Sequence, residues 1–236
     1  MSNAHGIFIL AGMTTFAKNL ALVSQKIEES CQKAGRGAAS VTLVAVSKTQ
    51  PVEAIEAIEA ALAAGQRVFG ENRVQEAAAK FPALKTRYPE LKLHLIGPLQ
   101  TNKVPEAVGL FDVIETLDRP KLAQALAREM KKQGRTPRLL IEVNIGAEPQ
   151  KAGIPPEEVA AFLGACQALG LKIDGLMALP PKDQDPAPFF AALKKLADQH
   201  NLAQVSMGMS ADFEEAITHG ASHVRIGTAL FGQRLP

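Results

Sequence analysis

Cysteine and tyrosine are scarce in this 236-residue chain: there are two of the first and one of the second. Cys31 and Cys166 each fall inside a helix-like pattern, with no CxxC and no Cys/His cluster. That spacing gives no disulfide framework and no zinc site; two buried free thiols in a reducing compartment are expected. The five histidines, His5, His94, His200, His219 and His223, show no metal-ligand spacing either. Charge of one sign is missing as a block. The net charge is +2 and no five like charges run together, so a nucleic-acid or membrane-surface partner has little support. Long apolar runs are absent too. Gly6-Ile7-Phe8-Ile9-Leu10-Ala11-Gly12 is too short to span a bilayer and lacks the basic flank of a secretory signal. No other segment is long enough, so a soluble cytoplasmic protein is expected. No Ser-His-Asp order, Gly-x-Ser-x-Gly elbow, Rossmann fingerprint or Walker A loop is present.

What the chain does have is hydrophobic mass and a regular rhythm. Hydrophobic residues make up 47%, enough for a sizeable core. Residues 1–12 are expected to be an N-terminal extension, either disordered or an artefact of cloning or of a misjudged start codon, with a single domain over 13–236. A first helix is expected over 15–34. The continuous, β-branched run Val41-Thr42-Leu43-Val44-Ala45-Val46 has the character of a strand buried on both faces. Pro51 stands where a helix opens, and Gly65 where it stops. Strand-like runs recur near 67–69, 91–96, 111–114, 138–144, 172–177, 203–206 and 223–226. Helical patterns lie near 73–86, 101–108, 118–133, 156–168, 187–200 and 211–219. Strict β-α alternation implies a parallel sheet. Eight such units in one domain of this length fit a (β/α)8 TIM barrel, with an open doubly wound sheet as the rival. Pro180 to Pro186 reads as one loop after the sixth strand rather than a domain boundary.

In a barrel the reactive groups sit at the C-terminal ends of the strands. Lys48 follows the first strand there. Partial burial disfavours an ammonium and lowers its pKa, which favours the neutral amine that a Schiff base requires. The plainer alternative is a rim lysine paired with Glu71 or Glu142. Barrels also commonly bind phosphate between the loops after strands seven and eight. Here Ser206, Met207, Gly208 and Ser210 read as the first of those loops, and Gly227-Thr228 as the second. The plainer alternative is that Ser210 caps the helix that follows it. Arg225 on the last strand is either a salt-bridge partner of a neighbouring strand or a residue facing a ligand ring. In the second case a permanently protonated guanidinium donates to a pyridine nitrogen and weakens that ring as an electron sink. His94 alternates with Leu93 and Leu95, pointing either inward or outward; the other four histidines are expected at the surface or in packing.

Five segments then occur in a distinctive order: Leu43-Val44-Ala45-Val46-Ser47-Lys48-Thr49, Phe69-Gly70-Glu71-Asn72-Arg73-Val74-Gln75-Glu76, His94-Leu95-Ile96-Gly97-Pro98-Leu99-Gln100-Thr101-Asn102-Lys103, Ser206-Met207-Gly208-Met209-Ser210 and Val224-Arg225-Ile226-Gly227-Thr228. Together they resemble the pyridoxal phosphate homeostasis protein family over about residues 15–233. The resemblance implies a barrel like the N-terminal domain of alanine racemases, with pyridoxal 5′-phosphate as cofactor, held on Lys48 as an internal aldimine. It places Ser206, Ser210, Gly227 and Thr228 around the phosphate, Arg225 near the pyridine nitrogen and Asn72 beside the ring. It also implies buffering or delivery of this vitamin B6 cofactor, with no firm catalytic activity, and apo forms of dependent enzymes as partners. Leu93 departs from the family, which often has tryptophan there, and puts the wall near His94 in doubt.

An amino-acid racemase is the competing reading. Racemisation needs proton transfer on both faces of a carbanion and so normally two bases. In alanine racemases the second is a tyrosine from a separate β-domain. This chain's one tyrosine, Tyr88, stands in a turn after a helix, and no residues remain for a β-domain. Arg225 at the ring nitrogen disfavours the carbanion further. A Schiff-base aldolase acting on a phosphorylated sugar fits a barrel with a phosphate site but leaves the five segments unexplained. With no swapped domain, a monomer is expected.

Overall fold

The computed structural model describes residues 14–47 and 52–232. Its eight strands form one closed parallel barrel in sequence order. They are β1 (Thr42–Val46), β2 (Val68–Glu71), β3 (Lys92–Leu95), β4 (Val113–Leu117), β5 (Arg138–Glu142), β6 (Ile173–Met177), β7 (Gln204–Met209) and β8 (His223–Ile226). Closure is made by β8 against β1, with Thr42 opposite His223 and Val44 opposite Arg225. An open sheet is thereby ruled out, and none of the eight described strands has an unpaired edge.

Nine helices intervene among the described residues: α1 (Thr15–Lys33), α2 (Val52–Ala63), α3 (Val74–Arg87), α4 (Val104–Leu110), α5 (Pro120–Gln133), α6 (Val159–Ala168), α7 (Ala187–Gln199), α8 (Phe213–Thr218) and α9 (Thr228–Phe231). Local chemistry sets several of their ends. Thr14 Oγ1 accepts the amide of Ala17 and caps α1, satisfying one of the orphan donors of the first turn. Gly134 closes α5 in the left-handed region, at φ 62°, which glycine enters without a Cβ penalty. Residues 1–12 and Pro51 lie outside the described residues. No described helix is long and apolar enough to cross a membrane.

Four strands end two residues or more from the sequence expectation, the first being β2, which runs to Glu71. β4 runs to Leu117, which makes Glu115 and Thr116 strand residues. β7 runs to Met209, so Ser206, Met207 and Gly208 belong to the strand and Ser210 alone to the loop. β5 stops at Glu142 instead of Asn144. Asn144 folds back on its own loop instead, donating to the Glu148 carbonyl at 2.9 Å and accepting from its amide at 3.1 Å. Polar residues inside β4 and β7 interrupt the apolar pattern that marks a strand. They are tolerated because they find partners inside the barrel.

The two faces of the sheet have different chemistry. Outward side chains, among them Ala45, Phe69, Leu93, Leu95, Val205, Met207, Val224 and Ile226, are buried under the helices in one large apolar layer. Cys31 and Cys166 are free and buried in the same layer. Leu93 therefore faces the helices, on the opposite side of β3 from His94, and does not line the mouth. Inside the barrel the apolar cluster is small: Val113, Leu140 and Met177, with Leu179 packed against them. Barrel interiors are usually filled by layers of branched apolar side chains. Much of this one is polar.

Candidate functional site

The C-terminal mouth of the barrel collects the ends of β1, β7 and β8. Lys48 and Thr49 lie outside the described residues, but the strand leading to them does not. Gly227, just past β8, packs on that strand: a Cβ built on it would stand 3.3 Å from the Val46 carbonyl oxygen and 3.5 Å from Val46 Cβ. The loop after β8 thus lies against the end of β1.

The loops after β7 and β8 are tied to each other. The amide of Ala229, in the first turn of α9, donates to Ser210 Oγ at 3.4 Å. Ser210 consequently does not cap α8. Asp212 precedes that helix, and its Oδ1 accepts the Met209 amide at 2.6 Å, tightening the turn. Gly208 has φ +90°, and a Cβ there would lie 2.5 Å from Ala216 Cβ and 3.0 Å from Phe213 Cα. Only glycine meets both constraints, left-handed backbone and close approach to α8. Met207 is fully buried and points into the helix layer. Thr228 and Ala229 are exposed, Ser210 and Gly227 half-buried. Two hydroxyls and the amides of a short helical turn therefore meet solvent at this corner, a suitable setting for an anion.

Below the corner runs a buried polar chain. His94 Nδ1 meets Glu115 Oε1 at 2.6 Å, and with an ionised carboxylate opposite, that nitrogen carries the hydrogen. Ser206 Oγ donates to Glu115 Oε2 at 2.6 Å and accepts from Arg225 Nη1 at 2.5 Å. Arg225 Nη2 donates to the Ala178 carbonyl at 3.0 Å, and its Nη1 stands 3.8 Å from Glu115 Oε2. Glu115 and Ser206 are 0% exposed, His94 2% and Arg225 4%. Burial by itself raises a carboxyl pKa, but here the bond and charge of His94, with Arg225 and Ser206, outweigh it and bring Glu115 down to about 2. His223 also faces inward, its ring centroid 5.8 Å from that of His94. Burial pushes it down to about 4, so it is neutral at pH 7.

At the rim, Glu142 behaves in the opposite way. Burial and the charge of Asp118 raise its carboxyl to about 7, against the pull of Arg225. Asn72 is half-buried beyond the end of β2 and lines a cleft of about 710 Å³ with Arg73, Gln75, Pro98, Gln100 and Lys103. Gly97 lets the chain pass: a Cβ there would lie 2.3 Å from the Asn72 carbonyl oxygen. Glu71, a candidate partner for Lys48 if that residue were a plain rim lysine, is paired with Lys80 at 2.6 Å. Tyr88 ends α3. A helix that returns antiparallel to its strand ends at the N-terminal face of the barrel, so Tyr88 stands at the rim opposite the mouth.

The architecture and most of the chain have known relatives. The family model "Alanine racemase, N-terminal domain" matches residues 22–235. Curated proteins named "Pyridoxal phosphate homeostasis protein" are similar along nearly their whole length. That of Pseudomonas aeruginosa is 43% identical over 229 residues, covering 94% of this chain and 97% of the relative. That of Aquifex aeolicus is 41% identical over 227 residues, covering 92% and 97%. The chain belongs to the pyridoxal phosphate homeostasis protein family. PipY of Synechococcus elongatus, whose structure was solved with pyridoxal phosphate bound, superposes with a TM-score of 0.78 at 38% identity, covering 92% of this chain and all of that one.

Two carboxylates of this family member escape a reading of the sequence: Glu115 in the interior and, in its site role, Glu142 at the rim. Glu115 had a legible signal: a carboxylate between Ile114 and Thr116 in a strand otherwise apolar is a buried charge in need of a partner. Ending β4 at residue 114 hides it. Glu142 lies at the end of β5, where only the three-dimensional approach of Asp118 and Arg225 gives it its character.

Proposed function

We propose that this protein binds pyridoxal 5′-phosphate at the barrel mouth, holds it as a Schiff base on Lys48, and buffers or delivers it in the cytoplasm without catalysing a reaction on it. The observation that carries the reading is the meeting of three strand ends. Ser210 is tied to the α9 turn, and Gly227 lies against Val46, two residues before Lys48. A phosphate on the paired loops would therefore stand beside the end of β1, the strand that leads to Lys48. PipY, 38% identical and solved with pyridoxal phosphate, supports the identity of that molecule.

The residues fit the cofactor. Ser210, Gly227 and Thr228 offer hydroxyl and amide donors to a phosphate at the solvent-facing corner. Gly208 sets the turn of that corner, and Met207 anchors the strand beneath it in the helix layer. Ser206 acts through Arg225, orienting the guanidinium toward the pyridine ring. Asn72 stands at the side of the mouth, beside the ring. Lys48 would hold the cofactor, whose aldehyde would supply the carbon for an imine with the lysine amine. Arg225 stays protonated, so it would donate to the ring nitrogen and disfavour carbanion chemistry there. The only tyrosine, Tyr88, is at the far rim, which leaves the racemase reading without its second base. A monomer and transfer to apo enzymes complete the proposal.

The test is a loading and transfer experiment. Purified protein incubated with pyridoxal phosphate should gain an imine absorbance that Lys48→Ala lacks. The loaded protein should activate an apo enzyme more slowly than an equal amount of free cofactor. Loading without imine absorbance, or steady racemisation of L-alanine that disappears in Lys48→Ala, would overturn the reading.

A further inference from the structure

On the outer wall of the barrel, behind the mouth, a buried ion pair holds the end of β1. Glu71 is 0% exposed and Lys80, on α3, is 8% exposed. Lys80 Nζ donates to Glu71 Oε1 at 2.6 Å and to the Ser47 carbonyl oxygen at 3.1 Å. Ser47 Oγ donates to the same Glu71 oxygen at 2.7 Å. The Ser47 amide donates to the Gly70 carbonyl at 3.1 Å. Residue 47 is therefore gripped at its amide, its hydroxyl and its carbonyl.

The gripped carbonyl belongs to the peptide unit that joins residue 47 to residue 48. That unit is planar. Fixing its oxygen removes one of the few rotations that decide where the next side chain leaves the strand. The arrangement is also a costly way to achieve stability alone. Two buried charges lose their hydration, and well-packed apolar residues of similar size often serve folding as well or better. Glu71 Oε2 has no hydrogen-bond partner among the described residues, and burial raises this carboxyl despite the opposing pull of Lys80.

We propose that Glu71 and Lys80 are positioning residues: they clamp the Ser47 peptide and thereby set the direction in which Lys48 reaches the cofactor. The clamp rests on the assignment of Lys48 under the proposed function. Neither residue meets the cofactor, because both lie on the helix side of the sheet.

The experiment compares loaded wild type with Lys80→Met, Lys80→Arg, the double variant Glu71→Leu/Lys80→Met, and Lys48→Ala. Three quantities are read on each: melting temperature, the fraction of bound cofactor fixed by borohydride, and the pH midpoint of the imine absorbance. The double variant leaves no unpaired buried charge, so its melting temperature should stay within a few degrees of wild type. Its fixed fraction should nonetheless fall by about tenfold, the scale of loss expected from a misplaced reacting group, and its pH midpoint should move. Lys80→Arg keeps a donor for the Ser47 carbonyl and should recover part of both. Wild-type fixation and an unmoved midpoint in the folded double variant, beside lost fixation in Lys48→Ala, would overturn the clamp alone. Full fixation in Lys48→Ala would overturn the Lys48 assignment and the clamp with it.

Discussion

Replacing Glu115 by glutamine removes one charge from the centre of the barrel and changes little of its shape. The carboxyl is brought from an ordinary 4.5 to about 2 by His94, Arg225 and Ser206, which together overcome its burial. At about 1.4 kcal/mol per pKa unit, that difference corresponds to roughly 3 kcal/mol of stability at pH 7. Removing one partner from a buried charged cluster typically costs about 3–5 kcal/mol; glutamine keeps an acceptor, so the lower end is expected. For a domain of this size the melting temperature should fall by roughly 6–12 °C. The pH dependence has a definite sign. The folded pKa lies below the unfolded one, so the contribution is complete above pH about 4.5 and disappears as pH falls toward about 2. The gap between wild type and Glu115→Gln, measured by urea unfolding, should be widest at pH 7 and should narrow between about pH 5 and the acid limit of folding. A gap below about 1 kcal/mol at pH 7, or one that stays constant with pH, would refute this account of the barrel interior.

Glu142 should respond in the opposite direction. Its folded pKa is raised to about 7, so the carboxyl is tolerated below the unfolded value and penalised as pH rises through neutrality. Glu142→Gln should therefore gain about 1–2 kcal/mol over wild type at pH 8, after allowance for partial exposure, and nothing at pH 4; urea unfolding at the two pH values checks this. Gly208→Ala places a Cβ 2.5 Å from Ala216 Cβ at φ +90°. It should cost about 2–4 kcal/mol and weaken cofactor retention, measured by thermal melts and equilibrium dialysis. Cys31 and Cys166 are both buried, and burial raises both thiols, Cys166 to about 11. Neither should react with a thiol reagent until the protein unfolds, which a timed colorimetric titration with and without urea would show.

The barrel was legible because strand and helix periods alternate from Val41 onward, and because glycines such as Gly134 mark helix ends by their backbone freedom. The loops after β7 and β8 stood out because barrels commonly bind phosphate there and their residue types suit it. The finer geometry was not. Ser206 reads as a loop hydroxyl, yet it is a strand residue with both of its hydrogen bonds inside the barrel. Ser210 reads as a helix cap, yet its oxygen serves a different helix. In both cases the partner is distant in sequence, and nothing local to the segment reveals it. The same holds for Lys80, an ordinary lysine within α3 until its amine is seen against Ser47. His94 was ambiguous between two faces, and the carboxylate of Glu115 across β4 decides it.

Covalent mapping tests the central claim most directly. The loaded protein is reduced with borohydride, digested, and its peptides are sequenced by mass spectrometry. The account predicts a single phosphopyridoxyl adduct, on Lys48, in near-stoichiometric yield. An adduct confined to another lysine, or none from a protein that retains the cofactor, would contradict it.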